Sequence, residues 1–236
     1  MKILIAVLSV LLILVFAYCF SNKIHIKFKT FLKKGFRPVR GNFGVYCYDG
    51  KQGKGKTYSL VEYLQDNKNS SLIFSNIGGI KHLDYTYYTG FKGLIEIKKY
   101  IDSPGFHTDK QIVIVYDEIF TELQKGDKLS KDVLDFLCQM RKRKIIFLTT
   151  AQEWAEIPLS FRRFCRYRIS CCMIPIFTSG ILIKRFYDAE NMKWSNDEQE
   201  HVAPLLETTI SHTRKYIANS YDTFLRISSV NPPTQQ

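Results

Sequence analysis

FGVYCYDGKQGKGKT, residues 43–57, joins two different kinds of sequence. Its FGVYCYD half is aromatic and β-branched with a single charge, the composition of a buried strand. Its GKQGKGKT half fits the phosphate-binding pattern G-x-x-x-x-G-K-[ST] at Gly50, Gly55, Lys56 and Thr57. Gly50, Gly53 and Gly55 let the backbone wrap a phosphate chain with successive N–H groups turned inward. The helix expected to start near Lys56 adds its positive N-terminal end. Gly50, Lys51, Gln52, Gly53, Lys54, Gly55, Lys56 and Thr57 are therefore the expected phosphate-binding residues. Lys56 is expected to reach the β- and γ-phosphates of ATP, and the Thr57 hydroxyl to take a place on Mg²⁺. The competing reading is a basic Gly-rich turn that holds no nucleotide.

With 236 residues, 45% of them hydrophobic, the chain is long enough for one sizeable core and does not have the composition of a disordered protein. The formal charge of +12, from 34 Lys and Arg against 22 Asp and Glu, favours contact with a polyanion, either nucleic acid or an anionic membrane face. Six cysteines without a C-x-x-C pair, and five histidines that do not cluster near them, argue against a zinc site and a disulfide framework. Reduced thiols in a cytosolic setting are expected.

Residues 3–20, ILIAVLSVLLILVFAYCF, form an apolar run with Ser9 as its one clearly polar member. As a helix the run is about 27 Å long, just enough to cross a bilayer core of about 30 Å. An uncleaved signal anchor, a cleaved signal peptide and a buried core helix are the three readings. The lone Lys2 before the run, its length and the poor cleavage site Ala17-Tyr18-Cys19 favour an anchor over residues 1–21. Lys23, Lys27, Lys29, Lys33, Lys34, Arg37 and Arg40 follow it, so the positive-inside rule keeps the C-terminal part in the cytoplasm. Residues 22–42 then read as a basic juxtamembrane linker, which either lies on lipid headgroups, forms an edge strand, or is solvated. A domain over 43–227 and a frayed tail over 228–236 complete the chain.

Within the domain, a helix is expected over 56–65 with Leu60, Val61 and Leu64 inward, then a strand over 71–77 and a hairpin or loop over 78–90. A further helix is expected over 91–101, with Leu94, Ile95 and Ile97 or Ile101 inward. QIVIVYDE, residues 111–118, is a β-branched strand ending in two acids. Behind a phosphate loop this suggests the second half of a nucleotide-hydrolysis site: Asp117 holding Mg²⁺ through its water shell, Glu118 orienting or deprotonating the attacking water. A helix over 128–142 leads to a strand over 144–150. Thr150 and Gln152 follow as candidates to sense the γ-phosphate, with a plain strand-end cap as the alternative for Gln152. Two basic clusters, 141–144 and Arg162, Arg163, Arg166 and Arg168, bind phosphate backbones, are solvated, or supply an arginine to a neighbouring subunit's γ-phosphate. Strands are expected over 168–173 and 181–187 around a turn at 175–180, and helical pieces after Trp194.

Taken as an ordered set, residues 50–57, residues 113–118 and MRKRKIIFLTTAQEWAEIPLSFRRF (140–164) resemble the Zot-like ATPases of filamentous phages, a branch of the FtsK–HerA group of DNA-pumping ATPases. The resemblance spans residues 44–168. It implies an α/β P-loop NTPase with a mainly parallel sheet flanked by helices, assembled as a homo-oligomeric ring. It also places Arg141 at the family's arginine, Gln152 at its strand-end glutamine, and Arg162 or Arg163 at its later arginine. Lys142 stands where the family usually has histidine, Ala151 separates Thr150 from Gln152, and the apolar run precedes the domain instead of following it. The packaging ATPases of membrane-containing phages share the same core. Lys51 sits where the MinD-like loops carry a second lysine, and a chance lysine in a basic loop is the alternative. The implied function is a membrane-anchored ATPase that packages, translocates or extrudes viral DNA together with other virion or assembly proteins. The rivals are a nucleotide-switched membrane scaffold for virion morphogenesis and a P-loop kinase, which would leave the +12 charge unexplained.

Overall fold

The computed structural model of the protein describes residues 2–21, 24–26, 43–123, 126–140, 142–176, 179–195 and 200–221. Arg141, residues 27–42 of the linker and the expected tail lie outside the described residues. In chain order the elements begin with helix α1 (Lys2–Ser21), strands β1 (Ile24–Ile26) and β2 (Gly44–Asp49), helix α2 (Lys56–Asn67), strands β3 (Ser71–Ser75) and β4 (Thr86–Tyr87), and helix α3 (Gly90–Asp102). Strand β5 (Gln111–Tyr116), helix α4 (Lys131–Gln139), strand β6 (Ile146–Ala151) and helix α5 (Leu159–Arg162) follow. The long hairpin β7 (Cys165–Ile176) and β8 (Ser179–Asp188), strands β9 (Lys193–Ser195), β10 (Glu200–Val202) and β11 (Leu205–His212), and helix α6 (Lys215–Ala218) complete the series.

Among the described residues nine strands make one sheet in the order β1-β11-β8-β7-β2-β6-β5-β3-β4. Among the described residues β8 alone runs against the others, pairing antiparallel with β7 and β11. A parallel sheet is covered on both faces, so its strands read as continuous apolar runs. Strand β2 shows this: Val45 and Cys47 pack in the layer that holds α3 and α4, Tyr46 and Tyr48 in the layer that holds α2 and α6. Leu60, Val61 and Leu64 of α2 are each 0% exposed, as the helical spacing requires, and each contributes about 1.5–3 kcal/mol of apolar burial. On α3 the buried residues are Leu94, Ile97 and Ile101, with Ile95 only half buried.

Several expectations need correction. Helix α4 starts at Lys131, not 128, because Ser130 caps it, its Oγ accepting the Val133 N–H at 3.4 Å. The turn expected over 175–180 lies mostly within the hairpin, where Pro175 pairs with Gly180 and Ile176 with Ser179. Among the described residues, β7 beyond Ser170 pairs with β8 alone, a setting in which a strand tolerates proline. The stretch after Trp194, where helical pieces were expected, holds one of them in α6, and the rest of its described residues are mainly strand. Strand β11 inserts between β8 and β1 and buries Thr208, Thr209 and Ser211, polar residues that hide a core strand from a hydropathy reading. Of the three options for the linker, the edge strand holds at Ile24–Ile26, which pairs parallel with Thr208, Thr209 and Ile210.

The apolar run forms helix α1, and its side chains from Val7 to Tyr18 are exposed. Those 12 exposed residues span about 18 Å at 1.5 Å per residue. Among the described residues no helix is long and apolar enough to cross a membrane.

Candidate active site

Strand β6 lies between β2 and β5, so the loop leaving β2 and the acids leaving β5 meet around the end of β6. The loop needs its glycines. Gly50 has φ 144° and Gly55 has φ 86°, values that side-chain-bearing residues rarely adopt. A Cβ on Gly50 would lie 2.7 Å from the Cys171 carbonyl oxygen, and one on Gly55 would lie 2.8 Å from Met173 Cε. Gly55 is also the left-handed N-cap that turns the chain into α2. The loop is tied across its base: the Gly50 N–H donates to the Gln152 carbonyl at 3.2 Å, and the Lys54 N–H to the Lys51 carbonyl at 3.2 Å. Lys56 Nζ folds back over the loop and donates to the carbonyls of Gly50 at 2.7 Å and Lys51 at 3.3 Å.

Thr57 Oγ1, in the first turn of α2, donates to Asp117 Oδ2 at 2.8 Å across 60 residues of sequence. Thr150, near the end of β6, donates its hydroxyl to Asp117 Oδ1 and accepts the Glu118 N–H on the same oxygen at 2.8 Å. Burial raises the Asp117 pKa above its ordinary value, opposed by the Thr150 and Thr57 hydrogen bonds and by the Lys56 charge. Burial also raises Glu118, with the neighbouring Asp117 charge adding to it. Glu118 sits in left-handed backbone, φ 58° and ψ 51°, uncommon for a residue with a side chain. Its carbonyl accepts the Thr121 N–H at 3.0 Å and hydroxyl at 2.9 Å, which hold the turn in place.

Asn76, just past β3, went unrecognised in the sequence. Buried to 3% exposure, it brackets Asp117: its Oδ1 accepts the Asp117 N–H at 2.7 Å and its Nδ2 donates to the Asp117 carbonyl at 3.0 Å. The signal for it was a polar Ser75-Asn76 pair ending a buried strand, which becomes informative only once β3 is known to lie beside β5.

The other expected residues divide. Gln152 is placed against the phosphate loop through its main-chain carbonyl, and its side chain is exposed. Arg168 is committed elsewhere, its Nε and Nη2 both donating to Asp49 Oδ2 at 3.1 and 2.9 Å, with its guanidinium 5.7 Å from the Trp154 ring centre. Arg143 is held by Asp102 at 2.6 Å, a structural use of the basic 141–144 cluster. Arg162 packs over the other approach to Trp154 at 5.9 Å, and Arg163 is exposed. Glycines that open the loop, a helix N-terminus and two carboxylates behind a threonine together suit a triphosphate. Thr57 and Asp117 offer the hard oxygen donors that Mg²⁺ takes. Among the described residues no three His, Cys, Asp or Glu could hold a metal on their own, so an ion here would share its coordination with phosphate oxygens and water.

The sheet order and loop can be compared with solved structures. The crystal structure of the N-terminal domain of zonular occludens toxin from Neisseria meningitidis superposes at TM-score 0.51 with 14% identity, covering 77% of this chain and 100% of that one. The two chains share a fold. The genome packaging NTPase B204 from Sulfolobus turreted icosahedral virus 2, in complex with ATP-gammaS, matches at TM-score 0.44 and 13% identity over 70% of this chain and 100% of that one. Flagellar accessory protein FlaH from Methanocaldococcus jannaschii matches at TM-score 0.41 and 14% identity over 72% and 89%. No family model matches the chain, and no curated protein sequence does.

Proposed function

We propose that the protein is a P-loop ATPase that drives the handling of a viral genome from a membrane. The observation that carries the hydrolytic part is the 2.8 Å hydrogen bond from Thr57 to Asp117, which joins the phosphate loop to the acid-bearing strand. In this reading Gly50, Gly53 and Gly55 open the loop around the phosphates, and Lys56 leaves the Gly50 and Lys51 carbonyls for the β- and γ-phosphate oxygens. Thr57, and Asp117 through water, would hold Mg²⁺, which when bound would supply charge neutralisation to the phosphates. Glu118, the next residue after Asp117, takes the proton of the attacking water or orients it. Thr150 fixes both acids from one hydroxyl, and Gln152 stands at the loop's first glycine, where a side chain can contact the γ-phosphate.

The genome-handling part is supported by the charge of +12 and by the ordered likeness of residues 44–168 to phage assembly and packaging ATPases. DNA is gripped through its backbone and not read by sequence. Arg141 or a neighbouring arginine completes the site of the next subunit in a ring. The apolar run at residues 3–20 and the basic residues after it support attachment to a membrane with the ATPase domain on the cytoplasmic side.

The test is ATP hydrolysis by the full-length protein with no DNA, with single-stranded DNA and with double-stranded DNA, using Lys56→Ala as the blank. Stimulation by one form is expected and names the cargo. Hydrolysis indifferent to both forms would contradict the DNA part and favour a nucleotide-switched scaffold.

A further inference from the structure

The Thr57, Asp117 and Glu118 cluster fixes where the γ-phosphate end of a nucleotide lies, on the β5 and β6 side of the loop. The opposite flank is formed by the β7–β8 hairpin. Strand β7 pairs with β2 as far as Asp49 opposite Ser170, and residues 171–176 continue past it, paired among the described residues with β8 alone. At about 3.3 Å per residue this arm reaches about 20 Å beyond the strand that carries the loop. Side chains alternate along it, so Cys171, Met173 and Pro175 share one face with their partners Lys184, Leu182 and Gly180. That face is the one turned to the loop and α2, since an added Cβ on Gly55 would meet Met173 Cε at 2.8 Å and Leu182 Cδ1 at 2.9 Å.

The arm is fixed in place. The buried Lys184 Nζ binds Glu62 Oε2 of α2 at 2.9 Å, with the two side chains 2% and 0% exposed. Cys171 Sγ lies 3.8 Å from Ser59 Oγ, also on α2. Near the tip, Gly180 exchanges two 2.8 Å hydrogen bonds with Thr213, and the next residue, Arg214, donates its N–H to Tyr58 Oη at 2.7 Å. An apolar surface, half open at Met173 and open at Pro175, thus stands rigidly beside the phosphate loop.

We propose that this arm is the nucleoside wall of the site, with Met173 and Pro175 taking the base of the nucleotide whose phosphates the loop holds. The inference rests on the ATP reading above. A thioether and a pyrrolidine ring offer polarizable apolar contact to a flat base. Contact area favours a purine over a pyrimidine, and the buried Lys184–Glu62 pair keeps the wall formed before the ligand arrives.

Titration calorimetry of the full-length protein with ATP and with inorganic tripolyphosphate separates the wall from the loop. The wild type is expected to bind ATP more tightly than tripolyphosphate. Met173→Ala is expected to weaken ATP about tenfold and leave tripolyphosphate unchanged, consistent with losing part of a buried side chain's contact. Met173→Leu restores most of the loss, and Ile174→Ser, on the opposite face of the arm, changes neither ligand. Met173→Ala weakening both ligands equally, or leaving ATP untouched, would overturn the wall. Wild-type protein that binds tripolyphosphate as tightly as ATP would overturn the wall while the phosphate loop stands. Wild-type protein that binds neither ligand would overturn the ATP reading, and the wall with it.

Discussion

Thr150 ties both acids through one oxygen, so it should matter more than a buried threonine in a strand usually does. Thr150→Val keeps the shape of the side chain and removes the hydroxyl that serves Asp117 and the Glu118 N–H. Hydrolysis is expected to fall about ten- to a hundredfold with ATP affinity nearly kept, since geometry is lost and phosphate contacts are not. Comparing steady-state turnover with nucleotide titration checks this. Asp117 and Glu118 both have pKa values raised by burial, so the catalytic form is lost on acidification at a pH above the ordinary carboxylate value of about 4. For stability the sign is the reverse. A raised native pKa means the fold binds that proton more tightly than the unfolded chain, a contribution present at acid pH and lost as pH rises through the native value. Asp117→Asn should therefore raise the melting temperature at neutral pH, lose that gain in acid, and abolish hydrolysis. Melting curves at the two pH values test it. The residue chemistry legible in the sequence was the kind that carries its own pattern: the loop glycines, Lys56, Thr57 and the acids after a β-branched run. Asn76 was not legible, because an asparagine at a strand end has no signature until its neighbouring strand is known.

At the scale of elements, the helix behind the phosphate loop is gripped from its far side by charge. Glu62 meets Lys184 and Arg214, and Asp66 takes Arg214 in a two-pronged pair at 2.8 and 2.9 Å. A buried charge that loses its partner is costly, so Lys184→Met should destabilise the fold by about 3 kcal/mol, with Arg214 left to hold Glu62. Adding Glu62→Leu should recover most of that loss, because the buried carboxylate that has lost its lysine then disappears while Arg214 keeps Asp66. Urea unfolding of the two variants measures both steps. Neither partner stood out in the sequence. A lysine and a glutamate 122 residues apart look like surface charges until β8 is folded against α2. The central strands announced themselves as apolar runs, whereas β11 did not, because Thr208, Thr209 and Ser211 face inward. The helix α4 boundary moved for a local reason, the Ser130 cap, which outweighed the apolar spacing.

For the whole molecule, the charge of +12 is already net of the acids, so pairing Lys184, Arg214, Arg168 and Arg143 with acidic partners leaves that excess unchanged. The remaining basic groups should still give DNA binding that is indifferent to sequence and steeply weakened by salt. For about 6–10 phosphate contacts that is a loss of about 10³- to 10⁵-fold between 50 and 200 mM salt. Fluorescence anisotropy on unrelated sequences across a salt series checks it. If the ring reading holds, Arg141→Ala should lose turnover while binding ATP, and mixing it with Lys56→Ala should return part of the activity, since a Lys56→Ala subunit lends its Arg141 to the intact loop of an Arg141→Ala neighbour. The account as a whole rests on one site turning over one nucleotide. Its most direct test is steady-state ATP hydrolysis by the full-length protein beside Lys56→Ala and Glu118→Gln. Measurable turnover is expected in the wild type and at least about a hundredfold less in both variants, with Glu118→Gln still binding ATP. Wild-type protein that binds ATP and never hydrolyses it, or variants that match the wild type, would contradict it.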